Sequence, residues 1–157
     1  MEDFKTEEKM FELVTVNPDN FHCKPDKFIC KEFIKEEKLI IPKKKPKVEQ
    51  LAKIISKPII TSKKTICTPQ GPKVIFQGKI TQKVFYVACN PEQSVHAASF
   101  TFSFCNFIKL PNKLKIKNIK IKVEDIIVQL VDKRKINKCV LLLVCIEPEK
   151  KCSHYSN

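Results

Sequence analysis

A two-residue alternation of apolar and polar side chains across residues 74–86 constrains this fold more than any other feature of the sequence. The even-numbered positions are mostly apolar, whereas the odd-numbered ones include Gln77, Lys79 and Thr81. A segment with this period turns one face to a core and the other to water, as a strand of an antiparallel sheet does. Residues 99–108 repeat the pattern, with three phenylalanines on one face. Both segments therefore predict half-buried β-strands.

The C-terminal part of the sequence supplies further strands. Residues 126–131 read IIVQLV and residues 139–146 read CVLLLVCI. The second run is apolar on both faces, which indicates a central strand that is covered on both sides. Between residues 113 and 123 the apolar positions change phase, so a turn or bulge is expected near Lys117 and Asn118. Six or seven strands with little helix predict a mostly β fold, an antiparallel β-sandwich.

One short helix is predicted over residues 47–56, ahead of the strands. Val48, Leu51 and Ile54 recur near helical spacing. Pro46 stands where the first turn of a helix would begin, and Pro58 follows its expected end. The segment is therefore interpreted as one turn or more of amphipathic helix.

These patterns divide the chain into three regions. Residues 1–35 contain two turn signals and are predicted to form an extended N-terminal arm. Residues 36–147 form the β domain, and residues 148–157 form a polar tail that contains a cysteine and a histidine. The inward faces of the strands predict these core residues: Phe76, Ile80, Val84, Phe100, Phe102, Phe104, Leu142 and Val144.

The charge of the chain is large and carried by one residue type. The net charge is +13, and Arg134 is the single arginine among 30 basic residues. Surfaces that read bases or clamp phosphates favour the planar arginine fork over the hydrated lysine ammonium. We therefore interpret the lysines as a solvated surface that can meet an anionic partner, and we do not expect nucleic-acid binding as the main role.

The sequence also argues against membrane insertion and secretion. No run approaches the roughly 20 apolar residues that span a bilayer. The start of the chain is acidic and lacks the basic and apolar regions of a secretion signal. We expect synthesis in the cytosol, and retention there unless the protein is packaged without secretion.

The eight cysteines and three histidines form no recognisable chemical motif. No cysteine pair has the two-residue spacing of zinc or thioredoxin sites. No nucleophile motif or phosphate-binding loop is present either, so the prediction is no enzymatic activity, no metal and no cofactor. His96 and Ser94 are expected to order their connection by hydrogen bonds to the backbone. Cys139 and Cys145 are expected to be packed thiols, while Cys105 could be packed or exposed.

Several segments together resemble the SPOCS-domain family, found in SipL-like proteins of the endospore coat. The resemblance covers about residues 36–147. It is carried by PKVEQ at residues 46–50, GKITQKVFYVA at residues 78–88, QSVHAA at residues 93–98, FCNFIKLP at residues 104–111, VEDI at residues 123–126 and VDKR at residues 131–134. No catalytic residues are carried over with this family.

The resemblance implies a structural role rather than a chemical one. Larger members carry a peptidoglycan-binding LysM module, and nothing here resembles one, so a single-domain building block is expected. The implied function is that of a self-assembling protein of the bacterial endospore envelope, in the coat, exosporium or an appendage. Its partners would be other copies of itself and other coat or exosporium proteins. It would be made in the mother-cell cytoplasm and deposited on the spore surface.

Two devices are predicted for assembly. Subunits would join through exposed strand edges or through apolar residues of the N-terminal arm, which are Phe11, Leu13, Phe28, Ile29 and Phe33. Disulfides between neighbours would reinforce the contacts after oxidation, with Cys23, Cys30 and Cys152 as candidates. Two alternatives remain open: a basic adaptor for an acidic coat protein or nucleic acid, and a thiol-based metal or redox protein.

Overall fold

The computed structural model describes residues 11–17 and 27–149, and these ranges contain seven β-strands and no helix. The strands follow the alternating segments of the sequence closely. Their bounds are β1 (Glu12–Thr15), β2 (Ile29–Ile40), β3 (Val48–Thr68), β4 (Gly71–Ala88), β5 (Val95–Lys109), β6 (Ile116–Leu130) and β7 (Lys135–Pro148).

The seven strands form two facing sheets. One has the order β1-β3-β4-β5 and the other has the order β2-β7-β6. Short β1 pairs with β3 in parallel, and all the other pairs are antiparallel. The predicted β-sandwich is confirmed, and β7 is the central strand that its two apolar faces indicated.

The sandwich has two distinct ends. The turn between β3 and β4 lies at one end, here called the hairpin end. The opposite end carries the loops of residues 41–47, 89–94 and 131–134. It is called the motif end because three of the segments that resemble the SPOCS family, at residues 46–50, 93–98 and 131–134, meet there.

The predicted helix over residues 47–56 is wrong, because these residues open the long strand β3. Shifts in the register of β3 against β4 occur between Val48 and Gln50 and between Leu51 and Lys53. Each shift inserts an extra residue, so the buried positions Val48, Leu51 and Ile54 recur every third residue rather than every second. Two bulges in a strand thus imitate helical spacing.

The predicted arm boundary at residue 35 falls inside β2. That strand pairs with β7 over its whole length. The ring of Phe33 lies 5.9 Å from that of Phe76 and 5.6 Å from that of Phe104, so it belongs to the aromatic part of the core. Residues 29–35 are therefore part of the sandwich, because central β7 needs a partner on each side.

The core between the sheets is divided into two apolar clusters. The hairpin-end cluster includes Phe76, Phe104 and Leu142, and the motif-end cluster includes Ile54 and Tyr86. Between them lie four polar side chains that are 4% exposed or less, here called the polar seam: Glu37, Ser56, Gln82 and Lys138.

Most of the predicted core residues lie inside the sandwich. Those that are fully buried are Phe76, Ile80, Val84, Phe104, Leu142 and Val144. Phe100 and Phe102 face inward but are only half-buried, and they pack against the motif-end cluster. The prediction of full burial is wrong for these two because β5 is an edge strand, where one flank of each ring is left uncovered.

Candidate assembly surfaces

The long edge strand β5 lacks the features by which soluble sheets usually protect an edge. It pairs with β4, and no other described strand pairs with its far side. Residues 95–108 contain no lysine, arginine, aspartate, glutamate or proline, although 30% of the chain is charged. Open edges are normally blunted by such residues. β5 is therefore an edge that another strand can join.

At the end of β5 nearest the hairpin end, the outward backbone groups already have hydrogen-bond partners. Phe107 donates its backbone N–H to Asn106 Oδ1 at 2.8 Å, and its carbonyl accepts a hydrogen bond from Lys31 Nζ at 2.7 Å. In an antiparallel strand the outward backbone groups belong to alternate residues. Thr101 and Ser103 accordingly direct their N–H and C=O groups away from β4, into the open edge.

The remaining described edges are blunted. Six of the 12 residues of β2 are lysine or glutamate. β6 carries five charged residues among its 15. The part of β3 beyond its contact with β1 includes Lys57, Pro58, Lys63 and Lys64. Charge and proline thus protect these three edges, and β1, at the other edge of its sheet, is only four residues long. β5 is therefore the long described edge strand that is left unprotected.

The motif end is held together by hydrogen bonds between the segments that resemble the family. Tyr86 is buried and its hydroxyl donates to the carbonyl of Pro46 at 2.8 Å, while its ring stacks on that of His96 with centroids 6.0 Å apart. Burial raises the pKa of the Tyr86 hydroxyl, and the nearby Arg134 guanidinium opposes that shift. Gln93 Nε2 donates to Glu49 Oε2 at 3.2 Å.

The connection between β4 and β5 is ordered by its own side chains. Asn90 Oδ1 accepts the backbone N–H of Ser94 at 3.3 Å, and Gln93 adopts a left-handed backbone with φ of 49°. The Ser94 hydroxyl lies 3.0 Å from His96 Nε2. His96 therefore orders the connection through a side chain rather than the backbone, and in the described structure no hydrogen bond joins it to a cysteine.

Arg134 fastens two loops of the motif end to each other. Its Nη1 donates to the carbonyls of Pro42 and Lys45, both at 2.8 Å. Asp132 accepts the backbone N–H groups of Arg134 and Lys135 at 2.7 and 2.9 Å. The loops that carry the lysines of this end are thus held in one arrangement.

A cavity of about 510 Å³ opens beside these loops and is here called the basic pocket. It is lined by Ile40, Ile41, Lys43, Lys47, Asp132, Lys133, Arg134 and Lys135. The five cations outnumber the single carboxylate, and that carboxylate already accepts two backbone N–H groups. No salt bridge is formed by the pocket lysines with any described residue.

The polar seam is an ion pair in the middle of the core. Lys138 Nζ lies 3.6 Å from Glu37 Oε1 and donates to Ser56 Oγ at 3.3 Å, and Gln82 Nε2 donates to Glu37 Oε1. Loss of hydration lowers the pKa of Lys138 to about 8 and raises that of Glu37. Among the described atoms, Glu37 Oε2 and Gln82 Oε1 have no hydrogen-bond partner. The alternating pattern places these residues inward, but it does not indicate that they meet.

The cysteines are distributed over several surfaces. Five in the described ranges are free: Cys67, Cys89 and Cys105, which are exposed, and Cys30 and Cys139, which are half-buried. Cys145 is buried but disulfide-bonded, so the expectation of a packed thiol is wrong for it. The predicted cross-linking residues Cys23 and Cys152 lie outside the described residues.

The apolar residues predicted to form an assembly arm lie on the sandwich itself. Phe11 packs against the motif-end cluster, and Leu13 lies in β1 with 37% of its surface exposed. Ile29 and Phe33 pack against the hairpin-end cluster. Phe28 is half-buried, with Lys120 Nζ 5.8 Å from its ring centroid.

Sequence reasoning identified neither the β5 edge nor the basic pocket as particular sites. The signal for the edge was present, since residues 95–108 form a long uncharged run in a highly charged chain. The pocket had no comparable signal, because its lysines come from segments almost 90 positions apart that only the fold brings together.

Comparison with known proteins identifies the family. A family model described as SipL, SPOCS domain matches residues 47–131, which run from the start of β3 to just beyond β6 and make up more than half of the chain. No curated protein and no solved structure matches the chain significantly.

Two further properties of the described residues bear on function. They contain no helix with the length and apolar character that a membrane crossing requires. They also contain no group of three or more histidine, cysteine, aspartate or glutamate side chains placed to hold a metal ion. The match over residues 47–131 confirms the resemblance: the chain belongs to the SipL SPOCS-domain family and is a sporulation-related protein.

Proposed function

We propose that this protein is a non-enzymatic, self-assembling building block of the bacterial endospore envelope, in the coat, exosporium or an appendage. It would be made in the mother-cell cytoplasm and deposited on the spore surface. The open edge of β5 is the observation that supports this function best, because a long strand with unpaired backbone groups and no protective charge is suited to strand addition.

Hydrogen bonds between the backbones would supply affinity for a joining strand, and the side chains beside the edge would determine which side chains of that strand can pack there. The outward residues of β5 are Ser99, Thr101, Ser103 and Cys105, all small and exposed. Lys31 Nζ already donates a hydrogen bond to the carbonyl of Phe107. A joining strand can therefore pair only with the part of β5 between Val95 and Cys105. A joining strand of another copy would therefore meet a defined length of edge.

Disulfides between neighbours would reinforce such contacts after release into an oxidising environment. Cys23, Cys30 and Cys152 remain the candidates, less the cysteine that is bonded to Cys145, and Cys105 joins them because it is free, exposed and on the open edge strand. Each bond would restrict the dissociated state and slow disassembly. Non-reducing electrophoresis of assembled protein should show ladders that reductant removes, and the triple Cys→Ser variant at positions 23, 30 and 152 should weaken them.

The decisive experiment compares two threonines that differ mainly in their access to the edge. Thr101 of β5 and Thr81 of β4 are opposite each other, and both are exposed. Thr101→Lys places a charge on the open edge, whereas Thr81→Lys places the same charge on an interior strand. Particle mass from light scattering and negative-stain electron microscopy should fall toward the monomer for Thr101→Lys and stay unchanged for Thr81→Lys.

A second variant separates backbone pairing from charge. Ser103→Pro removes an outward N–H but leaves the hydrogen bonds between β4 and β5 intact. It should reduce assembly as Thr101→Lys does, while circular dichroism shows a folded sandwich. Equal effects of the two threonine variants, or a wild-type protein that stays monomeric at all concentrations with and without reductant, would refute assembly through β5.

The basic pocket favours one alternative, a basic adaptor that binds an acidic coat protein without polymerising. Such an adaptor would remain monomeric alone and would form a complex of fixed stoichiometry with its partner. The thiol-based metal or redox alternative has no described cluster to support it.

A further inference from the structure

The basic pocket combines charge, shape and rigidity in a way that the β5 edge does not. Its lysines come from two loops that Arg134 joins through the carbonyls of Pro42 and Lys45. Ile40, which is 60% exposed, supplies an apolar floor. A volume of about 510 Å³ has room for a few side chains of an extended peptide.

The lining of the pocket suits an acidic peptide better than a nucleic acid. Nη1 of Arg134 already donates to two backbone carbonyls, and the other four cations of the pocket are lysines, which lack the planar fork that phosphate- and base-reading surfaces favour. No aromatic side chain lines the pocket on which a base could stack. Lysine ammonium groups around an exposed isoleucine instead suit a peptide that alternates acidic and apolar residues.

The chain itself contains such a peptide at its N-terminus. Residues 1–10 read MEDFKTEEKM, with Glu2, Asp3, Glu7 and Glu8 against two lysines and with an apolar residue, Phe4, between the acidic pairs. This segment is negative in a chain whose net charge is +13. We call it the acidic segment.

The topology directs the acidic segment to the end of the molecule that carries the pocket. β1 runs parallel to β3 with Glu12 opposite Lys53, so the chain enters β1 from the motif end. Phe11, the first described residue, packs against the motif-end cluster. Ten residues reach at most about 33–36 Å when extended.

A second copy is the occupant that the proposed self-assembly calls for. The pocket spans the motif end from Ile40 of β2 to Lys47, which precedes β3. β1 pairs with β3, so the chain enters β1 at the same end of each copy that carries the pocket. Two copies placed motif end to motif end would bring each acidic segment to the other's pocket, which is the reciprocal arrangement of a two-fold interface.

We propose that the basic pocket binds the acidic segment of a second copy of this chain. The proposal deepens the proposed self-assembly and rests on it, but it uses a surface separate from the β5 edge. It adds a contact at the motif end, so that one subunit has two different ways to meet its neighbours. The contact is electrostatic, and salt should weaken it.

The test joins carboxylates to lysines in the full-length protein by carbodiimide cross-linking. Equal amounts of ordinary and ¹⁵N-labelled chains are mixed, and the cross-linked peptides are identified by mass spectrometry. The expected result is cross-links of mixed isotope composition between residues 1–10 and Lys43, Lys47, Lys133 or Lys135. Polyglutamate should suppress them, whereas a DNA oligonucleotide of equal charge should not.

A pair of variants controls for total charge. In the first variant Lys43, Lys133 and Lys135 are changed to glutamine. Cross-links to Lys47, the pocket lysine that remains, then measure the contact. Loss of three exposed ion pairs should lower the mixed cross-links to Lys47 at least about fivefold. The matched variant Lys63→Gln, Lys64→Gln, Lys79→Gln removes the same charge from exposed positions outside the pocket and should leave them unchanged.

The outcomes separate this contact from the proposed function. Cross-links of unmixed isotope composition alone, with no mixed ones, would show that the segment binds its own pocket and would overturn the proposal. So would suppression by DNA but not by polyglutamate, or equal effects of the two variants. Light scattering on the same samples decides the rest: particles without mixed cross-links refute this contact alone, and an absence of particles refutes self-assembly.

Discussion

The two apolar clusters of the core are built from different side chains and held by different interactions. The hairpin-end cluster is entirely apolar and centres on three mutually contacting rings, those of Phe33, Phe76 and Phe104. The motif-end cluster contains smaller side chains and one buried tyrosine, Tyr86, whose hydroxyl is bonded to a loop. The first half is held by the shape of its rings, and the second also by directed hydrogen bonds.

This difference suggests separate roles for the two clusters: the hairpin-end cluster stabilises the fold, and the motif-end cluster also positions loops that can bind a partner. The hairpin-end cluster faces the two-residue turn between β3 and β4 and the connection of residues 110–115, whereas the motif-end cluster supports the loops of the basic pocket. Surfaces that bind partners need loops in a defined arrangement, and hydrogen bonds define an arrangement better than apolar contact does. The polar seam marks the boundary between the two halves.

The largest expected effect is in the aromatic half. Phe76 is 1% exposed and contacts two other rings, so Phe76→Ala should lower the free energy of unfolding by about 4 kcal/mol. Urea denaturation followed by circular dichroism measures this. Phe102→Ala, at a half-buried ring of the motif-end cluster, serves as the comparison and should have a clearly smaller effect. Equal losses would mean that the two halves do not differ in packing.

Breaking the polar seam should have the next largest effect. Lys138→Met leaves the buried Glu37 carboxylate without its cation and should destabilise the fold by about 3 kcal/mol. Replacing Glu37, Gln82 and Lys138 together by leucine, leucine and methionine would join the two clusters. That variant should unfold within about 1 kcal/mol of the wild type or be more stable. A triple variant less stable than Lys138→Met would show that the ion pair contributes net stability.

The seam also predicts a dependence of stability on pH. Burial lowers the pKa of Lys138 from its usual 10.5 to about 8, so between these values the unfolded chain binds more protons than the folded one. The free energy of unfolding should therefore rise with pH across that window, by at most about 3 kcal/mol. Lys138→Met is the control: it keeps the other lysines, so the difference between the two pH profiles isolates the contribution of Lys138. The raised pKa of Glu37 acts oppositely: above its usual value of 4.5 the folded state binds more protons than the unfolded chain, so stability falls as pH rises until the folded-state pKa is passed. Parallel pH profiles of wild type and Lys138→Met would contradict this assignment.

A smaller effect should show how tightly the aromatic half is packed. A Cβ atom added at Gly78 would overlap the Phe104 ring and the backbone carbonyl oxygen of Ile59. Gly78→Ala should therefore destabilise the protein by about 2 kcal/mol, although alanine suits a strand better than glycine does. Lys79→Ala, at the exposed neighbouring position, should be nearly neutral in the same thermal melts. A neutral Gly78→Ala would show that the ring can move aside.

The smallest effect should be at the motif end. Tyr86→Phe removes the hydroxyl that donates to the Pro46 carbonyl and should lower stability by about 1 kcal/mol. Because this hydrogen bond holds the loop of residues 41–47, the variant should also reduce cross-linking of the acidic segment to Lys47. Unchanged cross-linking together with the stability loss would mean that the pocket does not depend on that bond.

The sequence by itself was enough to predict the strands, their faces and the family. A period of two residues is a local property, because each side chain points to the side of the strand opposite its neighbour's. The alternation over residues 74–86 and 99–108 therefore identified β4 and β5, and the apolar run at residues 139–146 identified the central strand β7. Residues that repeat the family's segments indicated SPOCS membership before any contact was known.

The start of β3 shows where a local pattern misleads. Val48, Leu51 and Ile54 have helical spacing, yet pairing with β4 holds them in a bulged strand. Hydrogen bonds to a partner strand outweigh a weak local preference for helix. The spacing was real, but its cause lay in another segment of the chain.

Only the tertiary structure decided which residues meet and which strand is left at an edge. Glu37 and Lys138 face each other because β2 pairs with β7 in one register, and Gln82 reaches them across the sandwich. The basic pocket likewise joins the loops of residues 41–47 and 131–134. Such contacts depend on sheet order and on the facing of two sheets, which link segments far apart in the chain. A side-chain period carries no information about sheet order, and so the open edge of β5 and the pocket beside Arg134 became visible only in the folded molecule.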